Sequence, residues 1–167
     1  MPNSRSKLEQ AAWLAVVQAY QVCTRQYTRM LSEFDLTVAQ FDAMTRIEEL
    51  GARQARVTPH EIAEAMLVTR GNLTGLLRRL QERTLVVTRP HPEDGRSVIC
   101  TLTPHGRALL EKAKVASASF IQKQLAPFAT AALEHTRSQM TEMAAHLETL
   151  DPQSIASVAA QREAIAS

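Results

Sequence analysis

Arg70 and Asn72 stand at the start of an apolar-periodic run, where the first turn of a helix is expected, with Thr69 and Thr74 beside them. An arginine can donate two hydrogen bonds to a guanine, and an asparagine can pair with an adenine, so both side chains can read base edges. Arg78 and Arg79, further along the same run, suit phosphate contacts or support of the fold. Beyond it come Arg89, His91 and the tripeptide Asp94-Gly95-Arg96. An arginine at a loop tip suits a narrow minor groove, whose negative potential attracts it. Arg89 and His91 are secondary phosphate candidates. None of these side chains is set up to make or break a bond. No nucleophile has an adjacent base, and no glycine-rich phosphate loop follows a strand. The five histidines (His60, His91, His105, His135 and His146) are scattered, and Cys23 and Cys100 share no metal or redox spacing. The sequence therefore reads as a binding protein, not an enzyme, with no cofactor and no metal.

The charge distribution sharpens this reading. The whole chain carries only +2. Residues 52–107, however, hold nine Lys/Arg against five Asp/Glu, an excess of +4 between two slightly acidic flanks. Seven of those nine lie between Arg70 and Arg107. A local basic patch matters more to a polyanion than net charge does. Hydrophobic content of 45% supports a core, and scarce glycine (5 residues) favours helices. Two unspaced cysteines, a polar start (MPNSRSKLEQ) and no long apolar run predict a cytoplasmic protein without a membrane span.

The elements that must hold these residues can be read in order. Apolar residues at helical spacing from about Leu8 to Phe34 predict a long amphipathic helix. Thr37 and Gln40 form a capping box for a second helix, ending near Gly51. After a connector, in which Arg56-Val57 reads as a stub of strand, Thr58-Pro59-His60-Glu61 is another capping box. It opens a short helix that stops near Leu67; Thr69 caps the next, which runs to about Arg83. Val86–Arg89 and Val98–Leu102 are β-rich runs joined by a loop with two prolines and a glycine, so a hairpin with a projecting tip is expected. Thr103-Pro104 starts a helix to about Leu125, and a last helix carries Leu133, Met140, Met143, Leu147 and Leu150. Residues 151–167 read as a tail or short helix.

The expected fold is mainly α with a small β-hairpin wing. A winged helix-turn-helix lobe over residues 35–102 adjoins a helical dimerisation region from residues 1–34 and 103–150. Apolar stripes at 8–34, 109–125 and 133–150 exceed what so small a lobe can cover, so a homodimer is expected. It would set two recognition helices about 34–36 Å apart on a palindromic double-stranded DNA site.

These residues match a known pattern. Asp94-Gly95-Arg96, then Leu102-Thr103, then Gly106 resembles the wing signature of the MarR family of bacterial transcriptional regulators. Leu36-Thr37 with Gln40-Phe41, and Glu61-Ile62-Ala63 with Val68, resemble its second helix and its helix-turn-helix entry. The resemblance covers about residues 8–150. It implies dimeric winged-helix DNA binding, in which Thr69, Arg70, Asn72, Thr74, Arg78, Arg89, Asp94 and Arg96 meet DNA and Asp94 braces Arg96. Gly95 replaces the basic residue common at that position, which removes one phosphate contact. The resemblance further implies a repressor released by a small, aromatic, anionic ligand. Trp13, Tyr20, Tyr27, Phe34, Phe41 and Met44 can line such a pocket, with Arg25, Arg29, Arg46 or His60 meeting the anion. The same aromatic stripe at helical spacing equally describes core. The peroxide-sensing cysteine of some members falls here on Trp13, so Cys23 reads as a buried small apolar residue. A regulator without an effector, and a winged-helix dimer that has become a non-DNA interaction module, are the alternatives. The basic bias and the intact Asp94/Arg96 pair disfavour the latter. Gly71 and Gly75 each cost a helix roughly 1 kcal/mol relative to alanine. Close approach to phosphate and tight helix packing both account for them.

Overall fold

The computed structural model describes residues 4–95 and 97–151. The chain runs α1 (Ser4–Ser32), α2 (Val38–Arg53), α3 (Pro59–Met66), α4 (Arg70–Glu82), β1 (Val86–Pro90), β2 (Val98–Leu102), α5 (Pro104–Leu125) and α6 (Thr130–Glu148). It divides into two compact units, the first ending at Gln122 and the second starting at Lys123. The mainly helical fold with one β-hairpin is as expected. The tail read from residue 152 onward, and Arg96, lie outside the described residues.

Both capping boxes form. Thr37 Oγ1 accepts from the Gln40 amide at 3.2 Å, while the Gln40 side chain accepts from the Thr37 amide at 3.0 Å. Glu61 accepts from the Thr58 amide at 2.7 Å. Those backbone N–H groups have no intrahelical partner, so the caps set where α2 and α3 begin. The Thr58 amide, ahead of the Thr58 hydroxyl and Gln54, holds the Glu61 carboxyl below its ordinary range. Gly51 does not end α2. The helix continues to Arg53, and Gln54 caps it through its amide to the Leu50 carbonyl.

One core organises the first unit. Met44 and Ile47 of α2, Ile62 of α3, Leu73, Leu76, Leu77 and Leu80 of α4, Val86 of β1 and Cys100 of β2 all belong to it. Leu31 of α1 and Leu110 and Ala113 of α5 are also in this core, fully buried. The lobe expected over 35–102 therefore recruits the end of α1 and the start of α5. Leu110, expected on a dimer stripe, is spent inside one chain. The hairpin is antiparallel with Val86 opposite Leu102 and Pro90 opposite Val98. Val57, the expected strand stub, accepts one ladder-like hydrogen bond from the Cys100 amide at 2.7 Å, and no strand is assigned there.

The wing motif has a structural explanation at its C-terminal end. The Thr103 hydroxyl donates to the Thr84 carbonyl at 2.7 Å and accepts from the Gly106 amide at 2.9 Å, capping α5 against the start of the hairpin. Gly106 is required because a Cβ there would stand 2.0 Å from the Leu85 carbonyl oxygen.

The second unit is described by its own helix. No residue of α6 is buried, and Met140 and Leu147 are exposed apolar side chains on it. Among the described residues, no helix is long and apolar enough to cross a membrane.

Candidate nucleic-acid interface

α4 sorts its residues cleanly. Leu73, Leu76, Leu77 and Leu80 are buried, at helical spacing, on the face toward α2, α3 and the hairpin. Arg70, Asn72, Thr74, Arg78 and Arg79 are exposed. Thr69 caps the helix, its hydroxyl accepting from the Asn72 amide at 3.3 Å. The Thr74 hydroxyl donates to the Arg70 carbonyl at 2.9 Å, which leaves its oxygen available as an acceptor. Arg78 stands 3.8 Å from Glu82, a loose surface pair worth little to stability. The turn before α4 passes through Leu67, at φ 55° in the left-handed region, with its side chain 89% exposed.

The two glycines of α4 have open space around them. A Cβ added at Gly71 or at Gly75 would meet no atom within 4 Å. Tight packing within this chain is therefore not what excludes a side chain there.

The wing is tied down at its root and its turn. The His91 amide donates to the Ser97 carbonyl at 3.0 Å, and the Ser97 amide to the Asp94 carbonyl at 2.9 Å. His91 Nδ1 accepts from the amides of Glu93 and Asp94, at 3.2 and 3.1 Å. Arg56, in the connector before α3, pairs with Glu93 at 2.7 Å and holds that carboxyl below its ordinary range. Arg89 sits exposed on β1 opposite Ile99. Asp94 is exposed; the expected brace to Arg96 involves a residue outside the description.

Between α3, α4 and the wing lies an open groove of about 490 Å³, bordered by Thr58, His60, Arg70, Thr74, Asp94 and Ser97. The structure thus brings Arg70, Thr74 and Asp94, separate in sequence, to one groove. It adds His60, which sequence reading had placed only as a partner for a ligand anion. Arg70 Nη2 donates to His60 Nδ1 at 3.3 Å. No local pattern signals a contact ten residues apart; the angle between the two helices of the turn makes it.

The residues proposed for a ligand pocket separate into two groups. Tyr27 and Phe41 meet edge to face at 6.2 Å, Tyr27 also lies 6.2 Å from Phe120, and its hydroxyl shares a 2.7 Å hydrogen bond with Ser117. Met44 is in the core below. Trp13, Tyr20 and Arg25 are exposed on α1. Cys23, expected to be buried, is instead exposed on α1; Cys100 is buried, and burial pushes its thiol up to about 11, so it is no nucleophile near neutral pH. No cluster of three or more His, Cys, Asp or Glu suited to a metal occurs among the described residues.

A capped helix with a basic outer face, beside a tethered two-stranded wing, has close counterparts. The model of the MarR family matches residues 34–97, which span α2 to the wing tip. Over these residues the chain is similar to the MarR family. An HTH-type transcriptional regulator of Bacillus cereus is 31% identical over 101 residues, 60% of this chain and 64% of that protein. The chain thus spans less than two thirds of the length of such relatives. Among solved structures, a mutant of MarR from E. coli complexed with operator DNA shares the fold with a TM-score of 0.72 at 24% identity, covering 85% of this chain and 99% of that one. An organohalide-sensing regulator in its 2,4-dichlorophenol-bound form gives 0.74 at 18% identity, over 87% and 86%.

Proposed function

We propose that the protein is a DNA-binding transcriptional regulator of the MarR type that acts as a homodimer on a palindromic double-stranded site. The observation that carries this is the division of α4. Its leucines are consumed by the core, so Arg70, Asn72, Thr74 and Arg78 have no packing role and face outward next to the wing. Thr69, Arg70, Asn72 and Thr74 read or frame base edges at the helix start, where a recognition helix meets the groove floor. Arg78 and Arg89 hold phosphates, and Asp94 orients Arg96 toward the minor groove. The E. coli relative bound to operator DNA supports this assignment.

Exposed Leu8, Leu14 and Tyr20 on α1, and Met140 and Leu147 on α6, supply the apolar surface for a second copy. Residues 1–34 and 103–150 form this dimerisation region, and 35–102 carry the DNA contacts. The regulator represses neighbouring genes in the cytoplasm, and a small aromatic anion releases it. The dichlorophenol-bound relative and the Tyr27–Phe41–Phe120 cluster support an aromatic effector. The ring would be buried among apolar side chains, and an arginine would hold the carboxylate by a two-pronged pair. Hundredfold release needs about 2.7 kcal/mol of preference for the form that does not bind DNA.

Fluorescence anisotropy on the duplex upstream of the protein's own gene tests this. The expected result is tight binding that falls steeply with salt, weakened by salicylate, benzoate or hydroxycinnamate. Binding no tighter than to random DNA would overturn the DNA reading. Sequence-specific binding that none of these acids alters at millimolar concentration would instead leave a regulator without an aromatic effector.

A further inference from the structure

We propose that His60 is a positioning residue for sequence recognition: its neutral ring holds the Arg70 guanidinium in its base-reading orientation. This rests on the DNA-binding reading above. Arg70 stands at the first position of α4, where a long flexible side chain can sweep over several base pairs unless something orients it. His60 Nδ1 is 3.3 Å from Arg70 Nη2, and His60 Nε2 is 3.3 Å from Glu64 Oε1. A guanidinium has only donors, so Nδ1 must be the bare, accepting nitrogen of the ring. The proton then sits on Nε2, whose nearest carboxylate oxygen is Glu64 Oε1. The Arg70 contact thus selects the tautomer, and the accepting nitrogen holds the arginine, with Glu64 beside the protonated nitrogen.

This contact works only while the ring is neutral. Protonation places a hydrogen on Nδ1, removes the acceptor and sets two cations against each other. The groups facing the ring are Glu61 and Glu64 of α3, Arg70 of α4, and Asp94 of the wing across the same groove. The acids accommodate the imidazolium, so the cost of protonation falls on the Arg70 contact. Acidification therefore frees Arg70 while adding positive charge to the face that meets DNA. Sequence preference falls although non-specific attraction does not.

The test uses the full-length protein and duplexes selected from a randomised library by the wild type. Arg70→Ala identifies the base pair whose preference depends on that side chain. His60→Ala is expected to reduce discrimination at that same base pair by about fivefold to tenfold, within the range of one base contact. His60→Asn, which keeps an oxygen near the place of Nδ1 and does not titrate, is expected to retain it. At a pH low enough to protonate the ring, wild-type discrimination at that base pair is expected to fall and that of His60→Asn to persist. Both substitutions are at an exposed position, so folding is checked by melting alone. The proposal is overturned if His60→Ala keeps the preference, whether or not affinity falls, because a lost phosphate contact alone would do that. It is equally overturned if His60→Asn loses as much as His60→Ala, or if the two pH profiles coincide. Failure of the wild type to select any sequence would instead sink the DNA-binding reading.

Discussion

Glycines separate structural from functional demands at single positions. Gly106 has no room: its Cβ would fall 2.0 Å from a backbone oxygen, which no rotamer change relieves. Gly106→Ala is expected to cost more than about 3 kcal/mol, as other strong backbone conflicts do. Urea denaturation should show it as a large fall in midpoint, or as failure to fold. Gly71 is the opposite case, exposed with open space around it. Gly71→Ala is expected to stabilise α4 by about 1 kcal/mol. If DNA backbone approaches there, the same variant binds DNA more weakly. Higher stability with unchanged affinity would leave Gly71 with no part in the interface. The sequence marked Gly71 as unusual inside a helix and Gly106 only as part of the wing signature. It could not say which one was confined, because confinement of Gly106 comes from Leu85, a residue 21 positions away.

Among elements, the helix-turn-helix depends on its caps. The Thr58 amide keeps the Glu61 carboxyl below its usual range, so the ionised form is stabilised in the folded state. A depressed acid contributes stability above its unfolded pKa and loses it as pH falls through the folded value. Stability is therefore expected to decline on acidification below about pH 4. Glu61→Gln, which can still accept from the Thr58 amide, should flatten that decline while costing little near neutrality. Thermal melts at several pH values check both points; an unchanged acid limb would remove Glu61 from the account. The turn into α4 makes a second demand. Leu67 holds a left-handed conformation that β-branched residues strongly avoid. Leu67→Val is expected to destabilise by about 1–3 kcal/mol, although a side chain so exposed loses no packing.

For the whole molecule, the decisive quantity is the apolar surface left over. Leu110 and Ala113 are used inside the lobe, whereas Leu14 is 64% and Leu147 41% exposed. Leu147→Glu and Leu14→Glu should weaken self-association and DNA binding together while leaving the lobe's melting intact. Light scattering with DNA titration would show it; a wild type that is monomeric at micromolar concentration and still binds DNA tightly would exclude the dimer. Leu110→Glu is not an equivalent probe, because it places a charge in the core. Here the division between sequence and structure is plain. Capping boxes, hairpin runs, the basic bias and the wing motif are local, carried by neighbours a few residues apart, and the sequence alone determined the helices, the hairpin and the resemblance to the MarR family. Only the tertiary structure decided that Leu110 is core, that Gly106 meets Leu85, and that His60 reaches Arg70. Those contacts depend on the angles at which helices cross, and such angles are set by the summed packing of residues distant in the chain.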